Sequence, residues 1–379
     1  MRHYALIGQP VSHSKSPQMH VSAYKELGLK ANYTAYDVSE TDLSTVINRM
    51  RNGEIDGMNV TIPHKVAIIN YLDAIDNDAR IIGAVNTVVR KENQLIGFNT
   101  DAPGFIQSLK QAKSGSPLQK EKALVLGAGG AARAIIYAMS EEGVQVTLTN
   151  RTMSKATALA NDFSQYGITV QDLSMTEERL GDYDIVVNTT SVGMYPHVDE
   201  LPLKLENLKP DALVCDLIYN PIETAILKEA KKRGNPILNG LGMFVNQAAF
   251  SIRHWTGLMP NSSLMAEVVK KRISLNGGNK TMLTNKQKRF LRSESHAIQP
   301  IFQVGKGGVN ENMLVQLNEA LEARELIKVS VLQNCMEDKD AVAEEVVNAT
   351  HAYLVQVIGN IIILYKPSKE KSKIVLPRT

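Results

Sequence analysis

Short apolar runs alternate with amphipathic stretches along the first 240 residues of the chain. This order is typical of α/β layers built around mainly parallel sheets. The pattern predicts strands at residues 4–8, 33–38 and 58–62, with helices beginning near positions 17, 42 and 64. A hairpin is expected next, because strand-like segments at 84–90 and 94–98 flank three polar residues.

A second α/β series starts at residues 122–126, an apolar run of the kind found in buried parallel strands. Residues 243–273 follow a helical pattern with a polar break at 256–263. Linker composition then appears at Asn276-Gly277-Gly278-Asn279. Beyond it the predicted order is helix, strand, helix, strand, helix and two strands that meet at Gly359-Asn360.

Composition narrows the class of protein. A chain of 379 residues is too long for one compact core, and its 44% apolar and 21% charged residues are ordinary for a globular protein. No run approaches the roughly 20 apolar residues of a membrane span, and the first residues lack a signal-peptide pattern. Two separated cysteines, Cys215 and Cys335, suit reduced thiols, so we expect a cytoplasmic protein. The eight histidines are scattered, so no metal is expected.

A glycine-rich turn is the first candidate for chemistry. Gly127-Ala128-Gly129-Gly130-Ala131-Ala132-Arg133 follows a buried strand and opens a helix. This G-x-G-x-x-A pattern lets the backbone approach a pyrophosphate, which the amino end of the helix then stabilises. A bare structural turn is the alternative, although the position between strand and helix favours a dinucleotide site.

The next strand ends in residues that indicate which dinucleotide is bound. Asn150-Arg151-Thr152 and Lys155 stand where an NAD enzyme usually carries an acidic residue for the ribose hydroxyls. A guanidinium and a hydroxyl suit a 2′-phosphate, so NADP is favoured over a solvated basic helix start. A further strand, 184–188, leads into residues 189–194, whose small polar side chains either contact the cofactor or form an ordinary loop.

Polar side chains also follow the strands of the first series. Ser14 and Ser16 precede Pro17, so Ser16 is predicted to cap a helix whose amino end would suit a carboxylate; plain capping is the alternative. Lys65 lies near another strand end, where a lone lysine is usually solvated. A functional role for Lys65 is favoured by further polar residues at strand ends, namely Asn59, Thr61, Asn86 and Asp101.

Several of these motifs, in this order, resemble the shikimate dehydrogenase family over residues 4 to about 273. The matching runs are Ser-Lys-Ser-Pro, Asn-Val-Thr-Ile-Pro-His-Lys, Gly-Ala-Val-Asn-Thr, Asn-Thr-Asp, the glycine-rich turn, Asn-Arg-Thr, and Gly240-Leu241-Gly242-Met243 with Gln247-Ala248. The resemblance implies an α/β substrate-binding domain (1–102 with 243–275) and a Rossmann NADP domain (103–242). It also implies the reversible NADPH-dependent reduction of 3-dehydroshikimate to shikimate.

The resemblance further implies roles for individual residues. Lys65 and Asp101 would be the catalytic pair. Substrate would be held by Ser14, Ser16 and Tyr219 at its carboxylate, and by Asn59, Thr61, Asn86, Asp101 and Gln247 at its ring oxygens. NADP would be held by Gly127, Ala128, Gly129, Gly130, Ala131, Asn150, Arg151, Thr152, Lys155, Thr189, Met194, Gly240 and Met243. Some relatives carry arginine where this chain has Lys155. Lysine keeps the charge but lacks the bidentate guanidinium, which would weaken the preference for NADP.

The last part of the chain resembles a CRM domain, a small KH-like RNA-binding α/β fold of chloroplast splicing factors and bacterial ribosome-maturation proteins. The resemblance covers 283–366 and implies a domain at 283–379 after a linker at 276–282. Gly305-Lys306-Gly307-Gly308 is a G-x-x-G loop, which clamps phosphates in KH domains. Basic residues that could give a positive face are Lys286, Lys288, Arg289 and Arg292. A tight turn with solvated lysines is the alternative.

Three hypotheses follow. The first is a fusion of an active dehydrogenase with a module that binds RNA, ribosomal RNA above all. The second is an RNA-binding protein with an inactive dehydrogenase scaffold, and intact Lys65 and Asp101 argue against it. The third is a quinate or NAD-dependent relative, for which an acid at 150–151 is expected and is absent. The sequence leaves the oligomeric state open, a homodimer included.

Overall fold

The computed structural model describes residues 1–11, 14–194, 198–277, 283–335, 339–350, 352–368 and 372–377. The chain divides into two compact units, Met1–Ile273 and Ser274–Thr379. No helix within these described ranges is long and apolar enough to cross a membrane.

A mixed sheet forms the first layer of the long unit. Its strands and helices are β1 (Arg2–Gly8), α1 (Ser16–Glu26), β2 (Ala31–Asp37), α2 (Leu43–Arg51), β3 (Gly57–Val60), β4 (Ala74–Ile75), α3 (Asn77–Ile82), β5 (Thr87–Lys91) and β6 (Gln94–Phe98). The strand order is β2-β1-β3-β5-β6-β4. β1 pairs in parallel with β2 and β3, whereas β5 and β6 form the predicted antiparallel hairpin.

The α-helix predicted near position 64 is wrong. A turn there leads into a short 3₁₀ helix, Ala67–Tyr71. β-Branched residues at 66, 68 and 69 disfavour a continued α-helix. His64 is buried in this segment and bonds through a ring nitrogen to the Val38 carbonyl at 2.7 Å. The residue therefore fixes the backbone next to Lys65.

A doubly wound parallel sheet forms the second layer. Its elements are α4 (Asp101–Ala112), β7 (Lys122–Leu126), α5 (Gly130–Glu141), β8 (Gln145–Thr149), α6 (Met153–Asp162), β9 (Thr169–Val170), α7 (Leu173–Glu178), β10 (Ile185–Asn188), β11 (Leu213–Asp216), α8 (Ala225–Lys232) and β12 (Ile237–Leu238). The strand order is β12-β11-β10-β7-β8-β9. β8 and β9 lie on one side of β7, and β10, β11 and β12 lie on the other, so the switch point is between β7 and β10. Ligands of such sheets bind at this switch point, beyond the carboxyl ends of the strands.

Two helices then return to the first sheet, α9 (Leu241–Thr256) and α10 (Ser262–Gly277). α9 packs closely against α4, because glycines stand at the contact. A Cβ added to Gly104 would lie 2.8 Å from the backbone nitrogen of Gln247, and one added to Gly242 would lie 2.2 Å from Ser108 Oγ. This packing joins the two layers. Residues 276 and 277 of the predicted linker end α10, and 278–282 lie outside the described residues.

The core behind the first sheet contains a buried histidine among aromatic rings. His20 is 0% exposed and stacks on Tyr33 with ring centroids 4.0 Å apart. Burial lowers the pKa of His20 to about 3, so the ring is neutral. The Tyr33 hydroxyl donates to Asn59 at 2.8 Å, which links this core to the polar residues beneath the candidate active site.

The short unit follows the predicted order of elements. They are α11 (Asn285–Ser295), β13 (Phe302–Val304), α12 (Glu311–Arg324), β14 (Leu326–Val331), α13 (Lys339–Thr350), β15 (Tyr353–Ile358) and β16 (Ile361–Tyr365). The sheet order is β13-β14-β16-β15. Leu326 and Ile363 face a cluster with α11, whereas Ile327 and Leu364 face a cluster with α12 and α13. The helices therefore cover opposite faces of this sheet.

Glu325 anchors the segment that follows β16. It ends α12 with a φ of +62°, and its fully buried carboxylate accepts the backbone N–H groups of Ser368, Lys373 and Ile374 at 2.6–2.8 Å. Burial alone would raise the pKa of Glu325, but these donors outweigh it and lower the pKa. The side-chain bonds offset the conformational cost of a left-handed residue other than glycine.

Candidate active site

The structure brings Lys65 and Asp101 into direct contact. Lys65 follows β3 in the first layer, and Asp101 is the first residue of α4. Lys65 Nζ lies 2.6 Å from Asp101 Oδ2, and the two side chains are only 13% and 6% exposed. A charge-assisted bond with so little solvent holds the ammonium in one orientation.

Asn86 holds the second oxygen of that carboxylate. Its Nδ2 lies 3.0 Å from Asp101 Oδ1, and its own Oδ1 accepts the backbone N–H of Thr100 at 2.7 Å. The amino end of α4 adds a favourable field for the negative charge of Asp101. These contacts position Lys65 through Asp101, at the junction of the two layers.

Asn59 belongs to the buried polar network around this pair. Its amide is 5% exposed, accepts from Tyr33, and donates to Thr87 Oγ1 at 3.1 Å and to Ser251 Oγ at 2.9 Å. Sequence reasoning missed Thr87, Thr100 and Ser251, which complete this buried polar network. The signals were weak: the two threonines each directly follow or precede a selected residue, and Ser251 stands one helical turn after Gln247.

The predicted capping role of Ser16 is wrong by one position. The residue preceding α1 is Lys15, and Ser16 is already inside the first turn. Ser14 instead accepts the backbone N–H of Ser16 at 3.2 Å, because its hydroxyl reaches the free donors at the amino end of the helix. Both hydroxyls therefore stay at the helix terminus, where an anion is favoured.

Tyr219 comes from the second layer and meets Ser14. Its hydroxyl has hydrogen bonds with the Ser14 side chain and the Lys15 backbone, and burial raises its pKa. Its ring stacks on Phe244 at a centroid distance of 4.0 Å.

Gln247 lies one turn further along α9, with Oε1 3.4 Å from Asn86 Nδ2. Thr61 follows β3 and is half-buried, its backbone N–H donating to Ile7.

The glycine-rich turn lies against this cluster. Gly127 has a φ of +108°, and a Cβ there would lie 2.7 Å from Thr189 Oγ1, so only glycine fits. Nothing approaches within 4 Å of a Cβ built on Gly129, which leaves open space above the turn. A Cβ on Gly130 would lie 3.4 Å from Lys65 Cβ. The lysine stem and the start of α5 are therefore neighbours, with Ala128 and Ala131 part-buried in the same turn.

The end of β8 fits a phosphorylated ribose. Arg151, Thr152 and Lys155 are exposed beside the turn, and Asn150 Nδ2 donates to the Thr152 carbonyl at 2.9 Å. No residue from 150 to 155 is acidic. An open turn at a helix amino end, with cations beside it, fits NADP in both its pyrophosphate and its 2′-phosphate.

The remaining predicted cofactor residues come from the loop after β10 and from the start of α9. Thr189 Oγ1 donates to the Leu126 carbonyl at 2.7 Å, and Met194 is 45% exposed. Position 240 accepts only glycine, because an added Cβ would lie 2.0 Å from the Leu217 carbonyl oxygen. Met243 is buried in the core between α9 and the second sheet, with 8% exposure.

A doubly wound sheet with an open glycine turn, next to a buried lysine–carboxylate pair, defines a two-domain dehydrogenase that uses a pyridine nucleotide. The chain belongs to the shikimate dehydrogenase family. Family models match the substrate-binding domain of shikimate dehydrogenase at residues 6–88, shikimate/quinate 5-dehydrogenase at 108–202, and the shikimate 5′-dehydrogenase C-terminal domain at 240–270.

The match to this chain covers nearly the whole length of individual relatives. The shikimate dehydrogenase (NADP⁺) of Shouchella clausii is 53% identical over 72% of this chain and 99% of its own. Shikimate 5-dehydrogenase of Thermus thermophilus, solved with NADP(H) and shikimate, is 40% identical with a TM-score of 0.65, covering 72% and 99%. A quinate dehydrogenase of Corynebacterium glutamicum, solved with NAD, is 31% identical with a TM-score of 0.67, covering 71% and 99%.

The short unit carries a second candidate site. A CRS1 / YhbY (CRM) domain model matches residues 283–366. Gly305–Gly308 forms a tight turn in which Lys306 and Gly307 are exposed, and nothing lies within 4 Å of a Cβ built on Gly307. The basic residues of α11 lie on the other side of the sheet from α12. The loop leads from the edge strand β13 into α12, so the two basic segments belong to different elements of this unit.

Proposed function

We propose that the long unit catalyses the reversible NADPH-dependent reduction of 3-dehydroshikimate to shikimate. The observation that carries the proposal is the Lys65–Asp101 pair, 2.6 Å apart, whose lysine stem lies against Gly130. A proton donor and the amino end of the cofactor helix are thus neighbours. In support, relatives of this chain named as NADP-dependent shikimate dehydrogenases include one that is 53% identical to it.

The mechanism depends on one proton held next to one carbonyl. Bound NADPH supplies a hydride to the ring carbonyl carbon, and the carbonyl oxygen must gain a proton. The Lys65 ammonium stabilises the developing alkoxide and donates that proton, a contribution of roughly 10²–10⁴-fold for general acid catalysis. Asp101 keeps the ammonium aimed at the oxygen, and in the reverse direction the neutral lysine takes the proton back.

The other side chains bind and orient the substrate. Ser14, Ser16 and Tyr219 suit its carboxylate, because two hydroxyls at a helix amino end and a phenol converge there. Thr61, Asn86 and Gln247 suit the ring hydroxyls. We keep Asn59 in this set with Asn86, since the amides of both make their hydrogen bonds within one buried network. Residues 1–102 with 243–275 would then bind substrate, and 103–242 would bind NADP.

The proposal is tested by following absorbance at 340 nm as shikimate or quinate is oxidised with NADP⁺ or NAD⁺. We expect the highest kcat/KM with shikimate and NADP⁺. A clear preference for quinate with NAD⁺ would instead support the third hypothesis, and the absence of turnover with every pair would support an inactive scaffold.

We further propose that the short unit binds RNA through the Gly305–Gly308 loop, with ribosomal RNA as the expected target. Gly307 supports this because neither its φ nor the surrounding space requires glycine. A residue without a side chain at that point lets a phosphate approach the backbone. The CRM family match is the second support.

Replacing Lys306 by glutamate should weaken RNA binding by about tenfold or more, because the change turns a phosphate contact into a repulsion. The binding constant for ribosomal RNA would be measured by filter binding or anisotropy between about 50 and 200 mM salt, where wild-type affinity should fall steeply. Lys232→Glu makes the same charge change on an exposed helix end of the other unit. Equal loss in both variants, or salt-independent binding, contradicts the proposal.

A further inference from the structure

A buried carboxylate, Asp216, lies between the cofactor and substrate residues without belonging to either set. It is the last residue of β11, 1% exposed, and its partner in the sheet register is Asn188 at the end of β10. Oδ1 accepts from Asn188 Nδ2 at 3.1 Å and from the Ile218 N–H at 3.0 Å, and Oδ2 accepts from Thr224 Oγ1 at 2.6 Å. A buried carboxylate is tolerated only with such bonds. Burial still raises the pKa of Asp216 to about 6.

The first arm of this network shapes the loop beside the glycine turn. Asn188 Oδ1 accepts the N–H of Thr190 at 3.0 Å and its hydroxyl at 2.7 Å, while Nδ2 also donates to the Val192 carbonyl at 3.2 Å. Thr190 Oγ1 in turn accepts the Val192 N–H at 3.1 Å. Thr189 and Met194, at the two ends of this loop, are the residues assigned to the cofactor.

The second arm shapes the loop that carries Tyr219. The Ile218 N–H bonds to Asp216, and the Ile218 carbonyl accepts the Gly240 N–H at 3.1 Å. Thr224 stands at the start of α8, and its Cβ would lie 3.5 Å from a Cβ on Gly193. The same carboxylate therefore fixes Tyr219 on one side and the cofactor loop on the other.

We propose that Asp216, with Asn188 and Thr224, is a positioning group that couples cofactor binding to binding of the substrate carboxylate. Asp216 acts through the two loops, because its oxygens bond to protein groups. Contacts of NADPH with residues 189–194 would restrain the network that also holds Tyr219, so bound cofactor lowers the cost of ordering Tyr219 for the substrate. The inference rests on the proposed function, since it uses the ligands assigned there.

The test removes one hydroxyl from each arm. Thr224→Val keeps the side-chain shape but leaves Asp216 Oδ2 without its donor, and Thr224→Ser keeps the hydroxyl. Thr190→Val removes two of the four hydrogen bonds of the other arm without touching Asp216. Thr176→Val is the matched control, because Thr176 is a fully buried threonine of the same domain whose hydroxyl donates to the Asp172 carbonyl at 2.6 Å.

Calorimetry would give the Kd of shikimate with and without saturating NADPH, a pair that cannot react because both are reduced. We expect NADPH to tighten shikimate binding several-fold in the wild type, Thr224→Ser and Thr176→Val. The factor should approach one in Thr224→Val and Thr190→Val, and their kcat/KM should fall about tenfold.

Several results would overturn the coupling role. They are a factor of one in the wild type, an unchanged factor in both arm variants, and an equal loss in Thr176→Val. Thermal midpoints identify a variant that fails to fold, in which case the other arm variant decides. Failure of the wild type to oxidise shikimate with NADP⁺ would refute the proposed function instead, so the two failures are distinguishable.

Discussion

Replacing Lys65 by alanine is expected to lower kcat by at least about 10²-fold, because the change removes the group that protonates the forming alkoxide. The KM for shikimate should change little, since the carboxylate and ring hydroxyls are bound by other residues. Initial rates at 340 nm over a range of shikimate concentrations give both constants.

The control for this variant is Lys25→Ala, an exposed lysine of α1 in the same layer. It should keep wild-type turnover. Thermal midpoints of both variants show whether the loss of the partner of Asp101 has unfolded the site. Near-normal turnover of a folded Lys65→Ala protein would remove Lys65 from the mechanism.

Replacing Arg151 by alanine should raise the KM for NADPH by about 10- to 100-fold, while the KM for NADH changes little. The range corresponds to the roughly 1.5–3 kcal/mol of a hydrogen bond to a charged group. Only NADPH carries the 2′-phosphate that the guanidinium would bind, so the ratio of the two changes is the measurement that matters.

Arg179→Ala provides the comparison, since Arg179 is an exposed arginine of the same domain that pairs with Asp182. It should leave both constants unchanged. Equal changes for the two cofactors in Arg151→Ala would place the 2′-phosphate elsewhere, with Lys155 as the next residue to test.

The sequence predicted the parts of the fold and site that depend on local pattern. Alternation of apolar runs indicated both α/β series, and the glycine-rich turn was recognisable because strand, glycines and helix are contiguous. Lys65 and Asp101 are 36 residues apart. They were paired through the family motifs, not through any local signal.

The features that the sequence did not yield depend on burial or on how elements pack. Nothing around Asp216 distinguishes a buried carboxylate from a solvated one at a strand end. The bonds of Asn59 to Tyr33 and Ser251 could not be predicted, because these residues lie 26 and 192 positions away in the chain. The packing of α11 and α12 on opposite faces could not be predicted, because the face of the sheet on which each helix packs is a property of the fold.

Glu325 has a practical consequence for work on the RNA-binding part alone. The CRM family match ends at residue 366, but the backbone donors that stabilise this buried carboxylate belong to Ser368, Lys373 and Ile374. Ile374 and Leu376 also cover apolar side chains of the sheet. A protein truncated at the family boundary would lose these donors and this apolar cover, so we expect an isolated fragment that extends to residue 377 to be more stable than one that ends at residue 366.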